Sequence, residues 1–177
     1  MRVSAVLQGR LLSTPEARRD LSSSLDHMGE VAQAQGNWLE ASRLYGESLE
    51  ISRALAKLLD TPESQHDLSI GLENMGAFAN ARGDFPEADK HHQESLSIRR
   101  ALEDLLGTPE AKHDVADFLT TIAITEIDRG NADAACSKLR EALGIFELLN
   151  LPGAAMQVRE GLQRTRNLIA DHCGSSQ

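Results

Sequence analysis

Three groups of side chains in this 177-residue sequence are of types that do chemistry: the pair His91–His92 with Asp89 nearby, the two cysteines Cys136 and Cys173, and His66 and His113, each followed by an aspartate. A metal ion needs ligands that converge on one point. Adjacent residues on a helix point about 100° apart, so His91 and His92 cannot both face one ion. No His-x3-His or Cys-x2-Cys pair stands elsewhere to complete a ligand set. His92 reads as a packing residue and His91 as a solvated one. His66 and His113 share a recurring slot with Arg19, which points to a polar contact near a helix start rather than to catalysis. The cysteines have neither metal-ligand spacing nor the density of a disulfide scaffold, so Cys136 reads as a small buried residue and no bridge to Cys173 is expected. Glycine-rich phosphate loops, nucleophile elbows and paired catalytic carboxylates do not occur. No catalytic, metal-binding or cofactor-binding residue is therefore assigned, no cofactor is expected, and the chain reads as a non-enzyme.

What positions these side chains is an internal repeat. Residues 14–60 and 61–107 align without a gap over 47 positions, of which 23 are identical. A third, more diverged copy begins at Thr108 in the same register: Thr14, Thr61, Thr108; Asp20, Asp67, Asp114; Gly36, Gly83, Gly130; Glu47, Glu94, Glu141. Each copy opens with Thr-Pro-Glu, which supplies an N-cap, a proline at the first helical position and an acid at the positive end of the helix dipole. In the first copy Leu21, Leu25, Met28 and Ala32 then form one helical stripe. Gly36 ends that helix in a left-handed C-cap. Asn37, Asp84 and Asn131 cap a second helix, and Glu40 and Glu87, three residues later, complete capping boxes in the first two copies. The second helix carries Leu44, Ser48, Ile51, Leu55 and Leu58 on one side. Strand signals are absent. A lone helix hairpin cannot cover its own apolar stripe, but stacked hairpins cover one another.

The spacing of Leu25, Met28, Gly29, Ala32, Ala41, Tyr45 and Ser48 resembles the tetratricopeptide repeat. The second copy repeats it as Leu72, Met75, Gly76, Ala79, Ala88, His92 and Ser95; the third gives Leu119, Ile122, Ala123, Ala135, Leu139 and Ala142, with Glu126 where the small residue stood. The small residues Gly29, Gly76, Ala41 and Ala88 would let paired helices approach closely. The period of 47 departs from the usual unit of about 34 residues. The resemblance implies an all-α fold, a right-handed superhelical solenoid of three helix hairpins (14–60, 61–107 and 108–153). Residues 1–13 read as a partial helix, the stump of a preceding repeat; 154–173 as a C-terminal capping helix with Met156, Leu162, Leu168 and Ile169 as its apolar residues; and 174–177 as a flexible tail.

Net charge separates the same segments. The chain carries 18 basic and 27 acidic residues for a formal charge of −9, with −3, −5 and −4 on the three copies, +2 on the first 13 residues and +1 on residues 154–177. An acidic chain with six aromatic residues is neither a general nucleic-acid binder nor a stacking platform for bases. No apolar run reaches the roughly 20 residues of a membrane helix, and Met1–Ser13 lacks the apolar core of a secretory signal. A cytoplasmic location is the expectation.

In the resembled family the first helices line a concave face where partners bind. The register then predicts a groove lined by Ser23, Asp26, His27, Glu30 and Gln33 in the first copy, and by Ile70, Glu73, Asn74, Ala77 and Asn80 in the second. The third copy adds Asp117, Thr120, Thr121, Ile124 and Ile127. The family's carboxylate clamp, which holds the acidic tails of heat-shock chaperones, needs Lys, Arg and Asn at such places; only Asn74 fits, so no clamp is expected. The expected function is a protein-interaction scaffold for a protein or peptide of basic or polar character, without nucleic acid or membrane. Two further readings stay open: a regulatory or sensor fragment of a larger signalling protein, and a self-assembling element that forms homo-oligomers through its incomplete N-terminal edge.

Overall fold

The computed structural model describes residues 14–150 and 152–174. The sequence reading of residues 1–13 as a stump, and that of the last three residues as part of a tail, lie outside them. Among the described residues there are seven helices and no strands: α1 Pro15–Ala34, α2 Trp38–Leu59, α3 Pro62–Ala81, α4 Phe85–Leu106, α5 Pro109–Asp128, α6 Ala132–Leu149 and α7 Met156–His172. The fold is all-α, built of consecutive helix hairpins.

Local chemistry sets the helix ends. The hydroxyls of Thr14, Thr61 and Thr108 accept from the amides of Ala17, Ser64 and Ala111, and a proline follows each cap. Gly36, Gly83 and Gly130 close α1, α3 and α5 with φ between 74° and 79°, a region that costs a side-chain-bearing residue a clash. The capping boxes differ from expectation. Asn37 and Asp84 do accept from the amides of Glu40 and Glu87. Glu40 instead turns its carboxylate to Arg43, and Glu87 turns to Lys90, because a cation one turn on is a stronger partner than a backbone amide; the His91 imidazole also lies beside Glu87. The reciprocal box occurs at Thr61–Ser64.

The chain divides into two compact units, up to Ile98 and from Arg99 on. In the first, α1 packs on α2, and α2 on α3. One apolar cluster holds Leu25, Ala32, Ala41, Leu44, Tyr45 and Phe78; another holds Leu49, Ala56, Leu68 and Leu72. A buried polar seam joins α1 to α2: the Ser22 hydroxyl meets those of Ser48 at 2.8 Å and Ser52 at 2.9 Å, and Ser48 donates to the Ser22 carbonyl. One period later Ser95 donates to the Ser69 carbonyl. In the third copy Ala116, Ala142 and Phe146 fill the equivalent slots, all buried.

In the second unit α5 packs on α6 and α6 on α7. Ala123, Ala135 and Leu139 form a cluster with Ile127, Leu168, Ile169 and Cys173 around it. The buried Arg99 guanidinium pairs with Asp114 and lies 4.5 Å over the Phe118 ring. Contrary to the sequence expectation, Cys136 and Cys173 are joined by a disulfide, with Cα atoms 5.5 Å apart, so the end of α7 is tied to the first turns of α6. Three other residues depart from their expected surroundings. Met28, assigned to the apolar stripe of α1, is 54% exposed, and Leu58, assigned to the apolar side of α2 at its last turn, is 65% exposed. His91, read as solvated, is 4% exposed.

Candidate functional site

The first helices of the first unit, α1 and α3, bring the predicted groove residues into one region. Ser23, His27, Glu30, Ile70 and Ala77 are exposed, while Asp26, Gln33, Glu73, Asn74 and Asn80 are half-buried. At the centre lies Asp26. The side chains of Ser48 in α2 and Asn74 in α3 stand beside its carboxylate, and its Oδ1 is buried without a partner. Burial pushes its pKa up, Glu30 adds to the shift, and the two neighbouring side chains oppose it. Beside it Asp26, Ser22, Ser23, Ser52, Leu55 and Ile70 line a cavity of about 50 Å³, together with an ion pair between Arg19 of α1 and Asp67 of α3 at 2.5 Å.

Tyr45 closes the other end of this region. Its ring fits over Gly29, where a Cβ would come within 2.9 Å of it, and its hydroxyl donates to Gln33 at 3.4 Å. Burial, with Glu30 and Asp26 nearby, pushes the phenol up to about 12. The region thus offers oxygen acceptors and a protonated hydroxyl, all of which suit a cationic or hydrogen-bond-donating guest.

The residues predicted in the third copy belong to the second unit: Asp117 is exposed, Thr121, Ile124 and Ile127 are half-buried, and Thr120 lies in the interior. Thr120 is 1% exposed, donates to the Ala116 carbonyl at 3.0 Å and meets Thr165 of α7 at 3.2 Å. This corrects its reading as a groove residue: α7 covers it. Ile127 packs beside Leu168 and Ile169 of α7, and Ile124 is half-buried.

Register reasoning missed the Arg19–Asp67 pair, although the recurring Asp20, Asp67 and Asp114 marked that place as polar. It also missed His91. That residue occupies the slot of Leu44, one period earlier, which is a core position, so the repeat itself held the signal. The imidazole Nε2 stands 2.9 Å from Glu87, and both ring nitrogens are buried without a hydrogen bond.

The tetratricopeptide repeat family matches residues 21–63 and 72–104. No curated protein matches the sequence. Among solved structures, a crystal structure of a de novo designed helical repeat protein is similar at 11% identity and a TM-score of 0.41, over 95% of this chain and 88% of that one. With Gly29 under Tyr45 and Gly76 under His92 at their close-packed positions, the two matched segments are tetratricopeptide-like repeats.

Proposed function

We propose that the chain is a non-enzymatic interaction scaffold in which α1 and α3 hold a protein or peptide segment of basic or polar character. The supporting observation is Asp26. A carboxylate oxygen that is buried and lacks a donor is costly in the free protein, and a lysine or arginine side chain from a partner would relieve that cost with a charge-assisted bond. Glu30 and Glu73 extend the acidic field, which steers a cationic segment and speeds its encounter. The exposed Ile70 and Ala77 supply apolar contact beside them. Among the described residues no three His, Cys, Asp or Glu side chains gather as a metal site would need. No described helix is long and apolar enough to cross a membrane. The scaffold comprises the repeats 14–60, 61–107 and 108–153 with the capping helix, and we place it in the cytoplasm.

Affinity capture from native lysate, read by mass spectrometry, tests the reading. A protein held by the wild-type chain should be released by Asp26→Asn and by Glu30→Lys. A captured set that neither substitution changes would reject the groove.

A further inference from the structure

The bridge between Cys136 and Cys173 stands where α7 closes over the third copy. Cys136 lies in the second turn of α6, next to the fully buried Ala135. Cys173 directly follows the last turn of α7. Cys173 packs, with Ile127, Leu168 and Ile169, against the cluster of Ala123, Ala135 and Leu139.

The two sulfurs differ in access. Cys136 is 7% exposed, whereas Cys173 is half-buried. A thiol from outside therefore meets the Cys173 sulfur first, and access decides which sulfur of a disulfide is attacked. The carbonyl oxygen of His172 lies 3.7 Å from the Cys136 sulfur, so a thiol left there by reduction has an acceptor in place.

The rest of the hold on α7 is uneven along its length. Its buried residues Val158, Leu162 and Thr165 all come before Arg166. No side chain caps its start at Ala155. Beyond Thr165, Leu168 and Ile169 are half-buried, and the ion pair of Arg166 with Glu147 is exposed on both partners, so it contributes little. The start of α7 is thus anchored by burial, and its last turns depend on the bridge.

We propose that Cys136 and Cys173 form a reversible thiol–disulfide site for a dithiol reductant, entered at Cys173, whose state sets whether the last turns of α7 stay closed beside Ile127. One thiolate of the dithiol attacks the Cys173 sulfur. The bond between the two protein sulfurs breaks, and its electron pair goes to Cys136, which takes up a proton. The second thiolate of the reductant then attacks the mixed disulfide and releases Cys173, which also takes up a proton. The protein disulfide has gained two electrons, and the dithiol has been oxidised to its own disulfide, having supplied both protons. The oxidised reagent runs the same steps in reverse. Reduction frees residues 166–173 to fray, while Val158, Leu162 and Thr165 keep the start of the helix in place. In the cytoplasm, where we place the chain, the dithiol is the resting form and oxidation closes the latch.

Amide hydrogen exchange on the full chain, read by mass spectrometry in dithiothreitol and in its oxidised cyclic form, tests this. On reduction residues 166–172 should exchange about tenfold faster, while residues 158–165 and the first unit keep their rates. Return to the oxidised reagent should restore slow exchange. The double variant Cys136→Ser with Cys173→Ser should show the fast pattern in both buffers, with circular dichroism confirming its helix content. Of the single variants, Cys136→Ser, which leaves Cys173, should react with dithiobis-nitrobenzoate about tenfold faster than Cys173→Ser, which leaves Cys136. Equal exchange in the two buffers, or a bridge that dithiothreitol cannot open in the folded chain, overturns the proposal. So does unfolding of the whole second unit on reduction, which would make the bridge a fixed staple, or a Cys136 that reacts as fast as Cys173.

Discussion

A Cβ placed on Gly76 would stand 2.3 Å from Cδ2 of His92, deep inside ordinary contact distance. The imidazole is 4% exposed and has little room to move. Gly76→Ala should therefore destabilise the first unit by about 1–3 kcal/mol despite alanine's better helix propensity. Gly29→Ala meets the Tyr45 ring at 2.9 Å and should cost less. Gly144 is the control: it lies in α6 with nothing within 4 Å of a Cβ, so Gly144→Ala should stabilise by about 0.5–1 kcal/mol. Urea midpoints of the three variants check the ordering.

The serine seam between α1 and α2 makes an opposite kind of prediction. Ser48→Ala deletes a donor to the Ser22 carbonyl and a partner of the Ser22 hydroxyl, both buried, and should cost about 1–3 kcal/mol. The third copy fills the same slots with Ala116 and Ala142. Ser22→Ala combined with Ser48→Ala removes both hydroxyls and should cost less than the sum of the single changes. A double-mutant cycle by thermal or urea unfolding reads the difference.

His91 links stability to pH. Burial holds its pKa below the ordinary 6.5, against the pull of Glu87 and Glu94; Lys90 and Arg53 push the same way as burial. The folded protein thus binds fewer protons than the unfolded chain between the lowered value and 6.5, and stability rises with pH in that window. His91's contribution is complete above the unfolded value and is lost as pH falls through the folded one. His91→Gln should flatten the pH dependence between pH 7.5 and the acid side. A wild-type and a mutant curve that run parallel would reject the assignment.

Reduction of the Cys136–Cys173 bridge should loosen α7. The bridge closes a loop across a sequence separation of 37, and in the chain-entropy account a loop of that size is worth about 4 kcal/mol, with about 2–4 typical of measurement. Cys173→Ser, or added dithiothreitol, should lower the melting temperature of the second unit and leave the wild-type value untouched in oxidising buffer. A cytoplasmic chain would carry both residues as thiols, since glutathione keeps them reduced there. Alkylation at lysis, followed by peptide mass mapping, reads which form the cell holds.

The parts of this fold that were legible in the sequence are those settled within one turn of chain. Thr14 with Pro15 starts a helix and Gly36 stops one because caps act on neighbouring amides. Burial is different, because it depends on what arrives from elsewhere. Met28 and Met75 are the same residue in the same slot, yet among the described residues only Met75 has a preceding helix to lie against. Thr120 looked like a groove residue until α7 lay across it, and Cys136 looked solitary because nothing in a separation of 37 residues says where α7 will end. Asp26 was placed by register alone, but its missing hydrogen bond arises from three helices meeting, which no single-helix pattern encodes.

That missing bond gives the most demanding prediction. Burial raises the Asp26 pKa, so the folded state holds its charged form at a cost near neutral pH, and the cost fades as pH falls through the raised value toward 3.8. Asp26→Asn keeps the shape and removes the charge. It should raise stability by about 0.5–1 kcal/mol at pH 7, as substitutions at function-constrained sites commonly do. The same change should release any basic segment held between α1 and α3, because the neutral amide offers a cation no ion pair. Gain of stability with loss of capture is the pattern a binding site leaves. A purely structural acid would lose stability on substitution, through its polar contacts with Ser48 and Asn74, and leave capture alone. Differential scanning calorimetry and the capture experiment, run on one preparation of the variant, tell the two apart.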